Sequence, residues 1–327
     1  ALDRCGGHVV QPRRCVAAVF REIRAAGQRH FPWSSTCQLR DANQSQKTAM
    51  DSMPFTKIVT LTDIHILPEN DRLIGIDPTE RLRLAIDHVN RTQGDAELCV
   101  ITGDLTHRGD AGSYATLKRE LANLCIPVRI LVGNHDIREN FRAAFPDAED
   151  DGNGFVQFAL DLAGWRLIGL DSLHGPPYVY PDSHAGVLCG QRLSFLKSAL
   201  ESADGSPVVI FMHHPPFDTG FPGMDRIKLW NHEEFRDCLN GHDVRQIICG
   251  HVHRTISASW GGIPATIMKS LVDQMPFDLV TVDSSLATLE PPAYGVLLLN
   301  DHTVLCHSVE FLSELPEGQD PASMGRT

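Results

Sequence analysis

Val128-Arg129-Ile130-Leu131-Val132-Gly133-Asn134-His135-Asp136 joins an apolar, β-branched run to a glycine, an amide, an imidazole and a carboxylate. A run of that kind ended by glycine reads as a buried strand. The polar quartet therefore falls at a strand end, where sites gather in layered α/β proteins. Four other stretches repeat the arrangement: Lys57–Leu61 precedes Asp63-Ile64-His65, Leu98–Ile101 precedes Gly103-Asp104, Val208–Phe211 precedes His213-His214, and Gln246–Cys249 precedes Gly250-His251-Val252-His253. Asp63, Asp104 and Asn134 offer oxygen donors, and the histidines offer four or more imidazoles. A mixed N/O set suits Zn, Mn, Fe or Co better than calcium or a thiolate metal. The pattern predicts a hydrolase with two metal ions at strand ends.

Between these strands the periodicity turns helical. Asp77-Pro78 makes an N-cap and N1 pair, followed by Leu82, Ala85, Ile86 and Val89 at helical spacing. Ser113 is expected to cap a second helix carrying Leu117, Leu121 and Leu124, and a third runs from about Gln191 over Leu193, Leu196 and Leu200. Later strands are expected at Gly164–Leu170, Ala265–Met268, Leu279–Val282, Gly295–Leu299 and Thr303–Val309. Closely spaced late strands without helices between them predict a second, antiparallel sheet. Two sheets with flanking helices form an α/β fold, a four-layer α-β-β-α sandwich.

Residues 1–52 differ from the rest, with seven scattered arginines and a polar stretch at Asp41–Lys47. They read as an extension that is disordered or outside the catalytic fold, or as translated sequence upstream of a start at Met50 or Met53. Residues 53–312 read as the catalytic domain and 313–327 as a C-terminal tail.

A net charge of −12 with ordinary hydrophobic content, 42%, argues against a protein that lives on nucleic acid or on an anionic membrane. No apolar run approaches the ~18 residues of a membrane span. The nine cysteines are odd in number, irregularly spaced and without a C-x-x-C, which reads as reduced thiols of a cytoplasmic protein. Cys99, Cys125 and Cys249 are expected in core strands.

In order, the motifs D-x-H, G-D, G-N-H-D, H and G-H-x-H resemble those of the calcineurin-like metallophosphoesterase superfamily. Within it, the spacing and His213-His214-Pro215-Pro216 look most like bacterial class III cyclic nucleotide phosphodiesterases and related glycerophosphodiesterases. The resemblance implies a first metal site of Asp63, His65 and His253 and a second of Asn134, His213 and His251, with Asp104 bridging both. It implies that His135 contacts the reacting phosphate and that a metal-bridging hydroxide attacks phosphorus. The cofactors are then two divalent or trivalent transition-metal ions: Fe, Mn, Zn or Co.

The chemistry agrees with that set. Two divalent ions ~3.5–4 Å apart lower the pKa of a bridging water and neutralise developing charge. Asp136 is an expected outer-shell acceptor for a ligand histidine. With no nucleophile elbow or phosphatase cysteine loop, a covalent intermediate has no candidate. His107 and His214 are the candidate substrate contacts, and Phe221 and Trp230 the aromatics available to stack on a nucleobase. The expected activity is hydrolysis of small diesters, 3′,5′-cyclic nucleotides such as cAMP first. Glycerophosphodiesters or broad specificity including 2′,3′-cyclic nucleotides form the alternative. No stable nucleic-acid binding is expected, and a homo-oligomer is allowed. A scaffold that lost its site predicts missing ligands, and none of the seven is missing.

Overall fold

The computed structural model describes residues 55–175 and 184–312, so the readings made for 1–52 and 313–327 lie outside the described residues. One sheet has the order β11-β10-β1-β2-β3, from Val304–Glu310, Ala293–Leu299, Thr56–Leu61, Leu98–Thr102 and Val128–Leu131. The other runs β4-β5-β6-β7-β9-β8, from Phe158–Leu162, Trp165–Leu170, Val208–Met212, Val244–Cys249, Ile263–Ile267 and Ile256–Trp260. Strands β1, β2 and β3 are mutually parallel, as are β5, β6, β7 and β9.

Alternation along the strands creates the layers. Ile58, Val100 and Leu131 face Leu167, Val209, Phe211 and Ile248 between the sheets. Val59, Leu61, Cys99 and Ile101 face outward onto helices α1 (Pro78–Thr92), α2 (Ala111–Leu121) and α3 (Arg138–Ala144) through Leu82, Ile86, Leu117 and Phe141. On the far side Ile210, Met212 and Ile247 meet α4 (Gly190–Glu201), α5 (Pro222–Asp225) and α6 (His232–Leu239). Each such apolar side chain, fully buried, contributes about 1.5–3 kcal/mol. The result is the four-layer α-β-β-α sandwich.

Four local expectations are corrected. The cap of α2 is Asp110, not Ser113: its carboxylate accepts from Ser113 N at 2.9 Å and Ser113 Oγ at 2.7 Å. Leu279–Val282 is a loop, with Val280 85% exposed. There the Asp278 carboxylate takes Val280 N and Thr281 N at 2.9 and 3.1 Å, an Asx turn that removes donors from any ladder. The late strands do not make a separate antiparallel sheet. β8 and β9 extend one sheet, while β10 pairs with β1 in the other. Cys125 is exposed in the connection after α2, although Cys99 and Cys249 are buried in strands as expected. Among the described residues no helix is long and apolar enough to cross a membrane.

Candidate metal centre

The site lies where loops after β1, β2 and β3 meet loops after β6 and β7. Asp63, His65, Asp104, His251 and His253 all have left-handed backbones, with φ of 52°, 50°, 47°, 72° and 53°. Each such non-glycine residue costs on the order of 1–3 kcal/mol and persists only where its surroundings over-determine it. Here the backbone supplies part of that: Asp63 N donates to Gly103 O at 3.1 Å, and Ile64 N and His65 N both donate to Asp104 O at 2.9 Å. Gly103, at φ 108°, admits the close approach of the loops, since a Cβ there would meet Gly133 N and His213 Nδ1 at 2.8 Å.

All seven residues expected as ligands meet in this cluster. Asp104 holds the centre. Its Oδ1 accepts from His135 N at 2.9 Å, while Oδ2 is 3.2 Å from His213 Nε2 and 3.7 Å from His65 Nε2. On one side His65 Nε2 and His253 Nε2 are 3.0 Å apart, with Asp63 Oδ1 3.3 Å from the latter. On the other, His213 Nε2 is 3.1 Å from Asn134 Oδ1. Asp63 is fixed by Thr62 Oγ1 at 2.7 Å and His251 N at 3.1 Å.

Two observations fit these residues to cations. His251 Nε2 is buried and has no hydrogen-bond partner. His213 Nδ1 lies 3.0 Å from the Thr102 carbonyl, which fixes the proton there and turns the Nε2 lone pair toward the oxygens of Asp104 and Asn134. Lone pairs so opposed need positive charge between them. In the protein alone that charge is drawn as protons. Burial opposes protonation of His213, but Asp104, Asp63 and the Thr102 carbonyl together outweigh it and push the pKa up to about 9. Burial likewise opposes His253, whose pKa Asp63 and Asp273 nevertheless hold well above the usual range. Burial lowers His65 and His251, keeping them neutral as metal ligands must be. Ligand atoms of Asp63, His65, Asp104 and His253 lie within 4.8 Å of one another, as do those of His213, His214 and His251 and those of His65, His107 and His135.

The cluster floors an open cleft of about 900 Å³. His135 lines it, with Nδ1 2.9 Å from the His107 carbonyl and its ring stacked 5.0 Å from that of His107. His107 lines it too, with Nδ1 3.3 Å from His65 Nδ1. His214 is a correction. It is fully buried outside the cleft lining, with Nδ1 2.8 Å from Ser172 Oγ and Nε2 3.0 Å from the His184 carbonyl, so neither nitrogen is left for substrate. Asp136 touches no ligand imidazole. Its buried carboxylate instead accepts from Gly133 N, Leu105 N, Thr106 N and Tyr114 OH at 2.9, 3.1, 3.3 and 2.8 Å, buckling two ligand loops together. Burial and the charge of Asp104 raise its pKa to about 6. Phe221 is buried and Trp230 is 41% exposed with its Nε1 on the Arg226 carbonyl, and neither lines the cleft.

Sequence reasoning missed the apolar walls, formed by Leu73, Ile74, Met224, Ile227 and Leu286. Nor does it single out His184 or Asp273. His184 Nδ1 is 2.9 Å from Asn134 Nδ2, and Asp273 Oδ2 is 3.5 Å from His253 Nδ1. Among the described residues no Lys or Arg lines the cleft.

The family model described as "Calcineurin-like phosphoesterase" matches residues 56–255. A probable cyclic nucleotide phosphodiesterase of Rhodopseudomonas palustris is 37% identical over 80% of this chain and 94% of its own length. The 3′,5′-cyclic adenosine monophosphate phosphodiesterase CpdA of Pseudomonas aeruginosa is 30% identical over 75% of this chain and 85% of its own. A probable glycerophosphodiester phosphodiesterase, GpdQ, of Arcobacter nitrofigilis is 29% identical over 72% and 86%.

Proposed function

The chain belongs to the calcineurin-like phosphoesterase family, and on that premise we propose that it hydrolyses small phosphodiesters, with 3′,5′-cyclic nucleotides such as cAMP as the first substrate class. The observation that carries the diester reading is the cleft lining: oxygen and imidazole donors on the floor, apolar walls, and no Lys or Arg among the described residues. A phosphomonoester dianion calls for more positive charge than a diester monoanion does. The names of the relatives at 37% and 30% identity support the cyclic nucleotide class. The relative named for glycerophosphodiesters supports the second reading, a smaller polar ester in the same cleft.

Asp63, His65 and His253 would hold one transition-metal ion and Asn134, His213 and His251 a second, with Asp104 shared. The donor set suits Fe, Mn, Zn or Co. Bound there, the pair supplies Lewis acidity toward the phosphoryl oxygens and an activated water. The rest falls to the chain's own groups. With the Nδ1–H of His135 donated to the His107 carbonyl, Nε2 is the atom left for substrate, and in the imidazolium form its proton can pass to the departing alkoxide, leaving the neutral ring, or bond a phosphoryl oxygen. The Asn134 amide, held by His184, keeps its oxygen turned toward His213. Leu73, Ile74 and Leu286 would exclude water around the ester group. The charge of −12 and a cleft lined by no Lys or Arg among the described residues speak against nucleic acid as substrate. Buried, free Cys99 and Cys249 fit the reduced, cytoplasmic setting expected from composition.

The test compares kcat/KM for cAMP with AMP, 2′,3′-cAMP and glycerophosphocholine, and for bis- with mono-nitrophenyl phosphate, after adding each metal to apoprotein. Diesters are expected to lead, cAMP among them. A phosphomonoester turned over faster than its matched diester refutes the reading.

A further inference from the structure

The segment between β9 and β10 carries none of the five motifs, yet it is tied to two of the residues at the metal centre. The Ser270 hydroxyl donates to the Asp63 carbonyl at 2.9 Å. Met275 N donates to the His253 carbonyl at 3.1 Å. Between them Asp273 Oδ2 lies 3.5 Å from Nδ1 of the His253 ring, on the side away from Asp63, which is 3.3 Å from Nε2. The segment is itself fixed. Val272 N donates to Ser270 Oγ at 2.9 Å, Gln274 Nε2 to Ser270 O at 2.8 Å, and Gln274 exchanges backbone bonds of 3.0 and 2.8 Å with Thr288. Ser270 and Gln274 are fully buried.

Asp63 and His253 need such support, since both have left-handed backbones that relax unless held. Asp273 is costly in its place, because its other oxygen, Oδ1, is buried without a hydrogen-bond partner. A carboxylate kept under those conditions is explained by what Oδ2 does to the imidazole. Facing the ring at 3.5 Å, it favours the proton on Nδ1, fixes the ring's orientation and leaves the Nε2 lone pair directed at the cluster.

We propose that Ser270–Met275 is a brace that holds Asp63 and His253 in register for one ion of the pair, with Asp273 as the positioning residue of the His253 imidazole. The inference rests on the metal assignment above and extends it to residues outside its motifs. It makes the two ions unequal in their dependence on this segment, because His213, His251 and Asn134 take no side-chain bond from Asp273 or Ser270.

The experiment reads metal binding without turnover: stepwise dissociation constants of both ions by chelator competition in wild type, Asp273→Ala, Asp273→Asn, Ser270→Ala and His253→Ala. Asp273→Ala is expected to weaken one ion by about 10–100-fold, the usual cost of a lost outer-shell partner. The weakened step should be the one that His253→Ala abolishes, the other staying within about twofold. Asp273→Asn, which keeps an oxygen acceptor for Nδ1–H, should recover most of the loss. Ser270→Ala should weaken the same ion and so carries the test if Asp273→Ala does not fold. Wild-type affinities in both Asp273→Ala and Ser270→Ala, or equal weakening of the two ions, overturn the brace. A wild-type protein that binds no ion pair overturns the metal assignment and the brace with it.

Discussion

Replacing Asp136 by alanine removes one carboxylate from five donors at once. Gly133 N, Leu105 N and Thr106 N lose their acceptor, as do the Tyr114 and Thr106 hydroxyls. The hydroxyls are free to turn, but the three amides are not, and Asp136 is buried enough that water does not take its place. A buried N–H left unpaired costs about 1–3 kcal/mol, so three set a floor of about 3 kcal/mol. For a domain of this size each kcal/mol lowers Tm by about 2–4 °C, giving a drop of about 6–12 °C. Asp136→Asn should cost less. Its amide oxygen can still serve Gly133 and Leu105, Tyr114 can reverse to accept from the new NH2, and only Thr106 N–H is left facing a donor. The assay is thermal unfolding in the presence of chelator, which removes metal linkage from the comparison. An alanine variant within about 1 kcal/mol of wild type, or an asparagine variant as damaged as alanine, refutes the buckle.

Two predictions concern the centre. Asp104→Ala, which removes the carboxylate between His65 and His213, should drop bound metal from two ions to one or none with loss of turnover. Retention of both ions and activity, read by elemental analysis and rate, counts against the assignment. His135→Ala should keep metal content near wild type while kcat falls about 10²-fold, the usual scale for lost acid–base help. Loss of an ion in that variant makes His135 a ligand instead.

The parts legible in the sequence were those whose signal is local. Each strand that carries the site announces itself as an apolar run ended by a polar motif, and Asp77-Pro78 caps α1 as its residue types dictate, accepting from Thr79 N at 3.0 Å. What stayed hidden depends on contacts remote in sequence. The cleft walls come from Leu73, Met224 and Leu286, which no periodicity links. Asp273 acquires its role only because β9 delivers it beside His253. His214 sits next to His213 in sequence and packs its ring 4.6 Å from that of His251, yet both its nitrogens are taken by Ser172 Oγ and the His184 carbonyl, contacts that no local pattern signals. At Leu279–Val282 the β-branched composition spoke for a strand, and one upstream aspartate side chain decided otherwise.

The provenance of the seven clustered residues has a mechanical consequence. Asp63, His65, Asp104 and Asn134 hang from one sheet, and His213, His251 and His253 from the other. The close approaches cross the seam: His65 to His253 at 3.0 Å, Asn134 to His213 at 3.1 Å, Asp104 to His213 at 3.2 Å. Cations held there would act as rivets between two halves otherwise joined by side chains such as Val100, Phe211 and Ile248. At a thousandfold excess over Kd each rivet adds about 4 kcal/mol against separation of the halves. The same geometry makes the reaction sensitive to shear. A slip of about 1 Å of one sheet past the other leaves every helix and strand intact, yet displacement on that scale costs about 10²-fold in rate.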